Sequence, residues 1–122
     1  MLPINPFNQS PTSFWAGAQA FTSPEISKIE QNLLLLPFQD ALISNPDHGE
    51  QNDTNARSGR LKWIPQEQEW LWVYEKIYNW ILSANNELYN FNLSFILEQI
   101  QYCEYPSTTG GHYDWHLDIG HQ

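Results

Sequence analysis

The chain has 122 residues and a mass of 14.3 kDa, room for one small domain with a single core. Apolar residues make up 41% and aromatic residues 15%, too much for a disordered tail. Fourteen acidic residues against five Lys and Arg give a net charge of −9, which excludes the clustered positive charge that nucleic acid or an anionic membrane surface requires.

Residues 1–13 are rich in Pro, Asn and Ser and read as an extended lead-in to a body spanning 14–122. Met1 to Pro24 carries no charge and lacks the basic start and apolar centre of a signal peptide. The lone cysteine, Cys103, excludes an internal disulfide framework and points to a reducing compartment. The longest apolar run, Leu33 to Leu36, is too short to span a bilayer. A cytoplasmic protein is the expectation.

Phe14 to Phe21 reads as a short strand. Ser23-Pro24-Glu25 opens a helix, with Ser as cap, Pro in the first turn and Glu at the positive end of the dipole. Ile26, Ile29, Leu33 and Leu36 follow at helical spacing, and Pro37 ends the run. Phe38 to Ile43 is extended. Ser44 to Ser58 is polar and reads as a loop. Leu61 to Ile64 is strand-like and Pro65 ends it. Gln66 to Tyr89 reads as one long helix whose stripe of Trp70, Val73, Tyr74, Ile77, Trp80, Ile81 and Ala84 belongs to the core. Asn92 to Tyr105 alternates as a strand, with Gln101, Cys103 and Tyr105 on one face; Cys103 reads as a small buried hydrophobe. A Pro106–Gly111 turn leads to a last strand, His112 to Ile119. Helices come first and strands last, an α+β order rather than a βαβ repeat.

The chemistry is concentrated in Tyr105 to Gln122, where three of the four histidines lie. His116 and Asp118 form H-x-D. On a strand, residues two apart share a side, so an imidazole nitrogen and a carboxylate oxygen would converge on one ion. That is two-thirds of the 2-His-1-carboxylate set that holds Fe(II) with open positions. His48-Gly49-Glu50 has similar spacing but sits in the polar loop and receives no ligand role. His121 is read as a flexible terminal residue.

The pattern Tyr105-Pro106, Gly110-Gly111-His112-Tyr113-x-x-His116-x-Asp118 resembles the metal-site approach of Fe(II)/2-oxoglutarate dioxygenases of the prolyl 4-hydroxylase type. Arg57-Ser58-x-x-Leu61-x-Trp63-Ile64 resembles the stretch before the long helix of that family, and Glu98 to Tyr102 the strand before the turn. The resemblance implies a jelly roll, here an incomplete one cut after the H-x-D strand and backed by the helices. It implies His116 and Asp118 as metal ligands, Tyr105 as a contact of 2-oxoglutarate, and Gln101 and Tyr113 as pocket lining. It further implies Fe(II), 2-oxoglutarate as co-substrate, ascorbate as auxiliary reductant, and hydroxylation of a peptidyl or amino-acid side chain. The family's distal His and its basic 2-oxoglutarate anchor have no counterpart in this sequence, so the expectation is the N-terminal portion of an oxygenase domain, inactive alone, that self-associates or meets a complementary fragment. The alternative is a non-catalytic metal-binding or interaction remnant that uses the His112, His116, Asp118 and His121 cluster.

Overall fold

The computed structural model describes residues 14–45, 49–54, 56–94, 96 and 98–116. The fold is α+β: two helices and three small antiparallel sheets. The lead-in expected over 1–13 lies outside the described residues. No jelly roll is shown among the described residues.

Helix α1 spans Ser23–Leu33. Its cap is Thr22, one residue earlier than expected, because Thr22 and Glu25 close a reciprocal box. The Glu25 amide donates to Thr22 Oγ1 (3.3 Å), and the Thr22 amide donates to Glu25 Oε1 (2.9 Å). The helix ends at Leu33, before Pro37, in a turn where the Leu36 amide donates to Leu33 O.

Strand β1 (Gln39–Asp40), β2 (Ile43–Asn45) and β3 (Gly49–Gln51) follow. β2 and β3 form an antiparallel pair, so the segment expected as a polar loop contains regular structure; Ile43 faces Gln51 across it. β4 is Arg57–Ser58 and β5 is Arg60–Ile64.

Helix α2 runs Leu71–Ala84 and continues as a π-helical turn, Asn85–Tyr89. It starts five residues later than the sequence pattern suggests. Residues 66–70 form turns that deliver Trp70, buried, to the core. Asn90 closes the helix with φ +55°, a conformation Asn tolerates, and donates its amide to Asn85 O. The buried Asn85 side chain then clamps Phe91, accepting from its amide and donating to its carbonyl.

β6 is Ile100–Glu104, only the last part of the strand expected over 92–105. Residues 91–94 are irregular, and Phe95 and Leu97 lie outside the described residues. β1, β5 and β6 form one sheet in that order. β5 and β6 pair from Arg60 opposite Glu104 to Ile64 opposite Ile100.

Cross-strand partners share a face. Ile64, Ile100 and Tyr102 thus point together at the helices. There Leu33, Ile64, Trp70, Val73 and Tyr74 form the buried cluster, with Phe21, Ile29, Trp72 and Ile77 around it. Each such side chain contributes about 1.5–3 kcal/mol on full burial. The Tyr74 hydroxyl donates to Ile64 O (2.5 Å) and accepts from the Ile100 amide (3.0 Å), tying α2 to both strands. Lys62 is buried on the same face. Its ammonium donates to Leu33 O (2.6 Å) at the C-terminus of α1 and sits over the Phe38 ring, 4.1 Å from its centroid.

The strand expected at Phe14–Phe21 is not formed. This segment lies on α2 instead: the Trp15 and Trp80 rings meet at 5.3 Å, and Trp15 Nε1 donates to Glu87 (2.6 Å). Gly17 passes so close that a Cβ there would lie 2.0 Å from the Trp80 ring.

Candidate functional site

The second face of the β5–β6 sheet, away from the helices, carries Leu61 opposite Cys103 and Trp63 opposite Gln101, with Tyr105 next in the alternation. Three of the sequence-selected positions, Gln101, Cys103 and Tyr105, therefore lie along one stripe. Cys103 is not the buried hydrophobe expected. It is partly exposed and bonded on two sides, accepting from Arg57 Nη2 (3.4 Å) and donating to Gln101 Oε1 (3.7 Å). Trp63 is 38% exposed on this face.

The segment after β6 corrects the expected topology. Pro106 to Gly111 does not reverse the chain. A 3-10 turn over Ser107–Thr109 and Gly110, at φ +66°, carry the backbone out and back. The Gly111 amide donates to Pro106 O (2.8 Å) and closes the loop. β7 (His112–Tyr113) then pairs antiparallel with β4, as β6 pairs with β5. β7 thus resumes the direction of β6 along the same run of chain. Ser58 faces His112, and Arg57 faces Tyr113. Gly59, between β4 and β5, leaves room for the Tyr105 ring, which a Cβ there would meet at 2.8 Å.

This excursion brings Tyr105 and Tyr113 to one place, with Arg57 between them. The Arg57 guanidinium carbon lies 4.4 Å from the Tyr113 ring centroid and 6.0 Å from that of Tyr105. Tyr113 in turn stacks on the His116 imidazole, with centroids 3.6 Å apart and planes 11° from parallel. Tyr105, Tyr113 and His116 are thereby joined through an arginine some fifty residues upstream in the chain.

β7 is two residues long, so the strand expected over 112–119 ends at Tyr113 among the described residues. His116 is exposed and outside any strand, and the shared-face argument for H-x-D no longer applies to it. Asp118 and His121 lie outside the described residues. His116 Nδ1 is 2.7 Å from Asp114 O, a contact in which Nδ1 donates. A histidine that ligates through Nε2 commonly holds its other nitrogen in such a bond. His112 is held similarly, Nδ1 to Gly110 O at 2.8 Å, with Nε2 4.0 Å from Asp114. Among the described residues no three His, Cys, Asp or Glu converge as a metal site. The described residues do not by themselves fit an iron centre.

Arg57 enters the sequence pattern only as part of the stretch before the long helix and receives no site role there. The available signal was alternation: Arg57, Gly59, Leu61 and Trp63 are two apart, so the arginine belongs to the face that Tyr105 occupies. Ionisation is perturbed on the opposite face. Paired Arg60 and the Tyr102 hydroxyl hold the Glu104 carboxyl below the usual carboxylate range, and Glu104 pushes the Tyr102 hydroxyl up. The apolar groove on α2, about 310 Å³ and lined by Leu71, Tyr74, Tyr78 and Ile96, contains none of the motif residues. Among the described residues no helix is long and apolar enough to cross a membrane.

Comparison with family models, with curated proteins and with solved structures finds no match for the chain.

Proposed function

We propose that this chain carries the first part of the active site of an Fe(II)/2-oxoglutarate-dependent oxygenase of the prolyl 4-hydroxylase type. His116 and Asp118 are two of its metal ligands, and Tyr105 contacts the oxoacid. Gln101 and Tyr113 line the pocket. The observation that supports this reading is that the Tyr105 and Tyr113 rings lie beside Arg57 and that Tyr113 stacks on His116. Residues chosen for a shared chemistry lie together although seven residues, 106–112, separate the two tyrosines. The bond from His116 Nδ1 to a carbonyl is compatible with a ligand role for its other nitrogen.

When bound, Fe(II) and 2-oxoglutarate supply oxidative decarboxylation to succinate and CO2, coupled to hydroxylation of a C–H bond. The jelly roll, the prime substrate (a peptidyl or amino-acid side chain) and ascorbate as auxiliary reductant belong to the same reading. The distal histidine and the basic anchor of that family are not among the 122 residues.

Anaerobic titration of the full chain with Fe(II) and 2-oxoglutarate tests this. The expected result is a visible metal-to-oxoacid charge-transfer band that needs both additions and disappears in His116→Ala and in Asp118→Ala. Succinate formation by the chain alone is expected to equal that of free iron. A spectrum without the band, or a band indifferent to His116→Ala, refutes the assignment.

A further inference from the structure

Arg57 lies where β4, β6, β7 and the Leu42 backbone meet, and only 7% of its surface is exposed. A buried guanidinium is costly unless hydrogen bonds and counter-charge replace its water. Arg57 receives little of either. Nη1 donates to Leu42 O (3.1 Å), and Nη2 donates to Cys103 Sγ (3.4 Å), a weak acceptor. Nε is buried and has no acceptor among the described residues. The Tyr113 and Tyr105 rings add attraction to their faces but accept no conventional hydrogen bond there.

Buried Lys62 also lacks a carboxylate, but its ammonium donates to Leu33 O at 2.6 Å, whereas Arg57 Nε has no acceptor among the described residues. The chain has fourteen acidic residues against five basic ones. Arg60 and Lys76 each hold a carboxylate, Glu104 at 2.7 Å and Glu25 at 2.6 Å, and both are far more exposed than Arg57. No carboxylate among the described residues pairs with Arg57. The least solvated guanidinium of an acidic protein is thus the one without a counter-ion. A fork of N–H donors with an idle Nε is the geometry that a carboxylate satisfies with two oxygens.

We propose that Arg57 is the binding residue of a carboxylate subsite, which takes the carboxylate of a small organic acid between the Tyr105 and Tyr113 rings. Both rings are more than a third exposed, 39% and 38%, so displacement of either one admits the ligand. The ligand carboxylate replaces the weak thiol contact and supplies an acceptor to Nε. The subsite needs no metal, and it stands or falls independently of the oxygenase reading.

The test uses the full chain, labelled with ¹⁵N, in chelator and at constant ionic strength. The protein has two arginines, Arg57 and Arg60, so its arginine Nε–H signals number two, and the Arg57→Lys variant assigns them. Titration with succinate, acetate and 2-oxoglutarate should move the Arg57 Nε–H signal downfield, saturably, and leave that of Arg60 in place. Arg57→Lys, which keeps the charge and loses the fork, should weaken binding roughly tenfold or more, read at the Tyr113 amide. No saturable shift, equal movement of both arginines, or the same response to chloride or phosphate overturns the subsite. If Arg57→Lys does not fold, the comparison of the two wild-type signals decides, with Arg60 assigned instead by Arg60→Lys.

Discussion

Single side chains set the tolerances of this molecule. Gly110 and Gly111 are adjacent yet constrained for different reasons. Gly110 has φ +66° and open space where a Cβ would go, so Gly110→Ala should cost only the left-handed strain, about 1–2 kcal/mol. At Gly111 a Cβ would lie 2.4 Å from the Tyr105 carbonyl carbon and 2.6 Å from the Pro106 nitrogen. Both are backbone atoms and cannot swing aside. Gly111→Ala should therefore lower the urea midpoint more than Gly110→Ala and should disturb the Tyr105 and Tyr113 signals, because it forces open the loop that places them; equal midpoints would mean that the loop is free to relax. Glu25 is a second such site. The Lys76 ammonium, with the Thr22 backbone amide, holds its carboxyl down at about 2, against an ordinary 4.5. A depressed carboxylate pKa stabilises the fold above the ordinary value. That contribution is lost as pH falls from about 4.5 to about 2. Wild type should lose stability more steeply across this window than Glu25→Gln, read as thermal midpoint against pH. Parallel curves would remove Glu25 from the acid response.

At the level of elements, the strongest local signals were legible and the longest ones were misjudged. The α1 start was readable from Ser23, Pro24 and Glu25, though the cap falls on Thr22 because only it is three residues before Glu25 in the box. Thr22→Ala should cost about 1 kcal/mol and Ser23→Ala much less, a contrast that chemical denaturation resolves. β5 was legible as a strand of alternating residues ended by Pro65. The long helix was overextended because Gln66 to Trp70 has no breaker, yet these residues turn to bury Trp70. Phe14 to Phe21 looked like a strand, but Trp15 and Gly17 serve contact with Trp80 and Phe21 meets Trp72, which no local pattern encodes. The site was legible in part, since Tyr105, Tyr113 and His116 stand out by motif. Arg57 was not, because its place beside them arises from pairing β4 with β7 across fifty-three intervening residues. Tyr74 shows how few groups join the elements. Tyr74→Phe leaves the buried Ile64 carbonyl and the Ile100 amide without their shared hydroxyl, and should cost about 1–3 kcal/mol. Amide exchange at Ile100 should quicken in that variant; unchanged protection would show that another acceptor takes its place.

The whole molecule sets apolar surface and open hydrogen-bonding groups against charge of one sign. β6 is the outer strand of the β1-β5-β6 sheet and has no neighbour on its far side among the described residues. Such an edge is a template for another chain. Leu34 and Leu35 are about four-fifths exposed at the end of α1, and Phe91 and Trp115 are exposed as well. Against this stands a net charge of −9, which makes copies of the chain repel. The attraction is short-ranged and indifferent to salt. The repulsion is long-ranged, with a screening length of about 30 Å at 0.01 M salt and about 3 Å at 1 M. Which term wins should therefore depend on ionic strength. Sedimentation at fixed protein concentration should show a monomer at about 0.01 M salt and larger species as salt rises towards about 1 M. Gln101→Lys should also be compared with wild type at high salt. Gln101 lies exposed on that outer strand, and a lysine there would have to give up its water in an added-strand contact, a cost that salt does not screen. If association proceeds through β6, this variant remains monomeric at salt concentrations where wild type does not. If both associate alike, the exposed leucines of α1 carry the contact instead. A monomer at every salt concentration would mean that the described edge is closed in solution and that the charge on this protein serves some purpose other than keeping its copies apart.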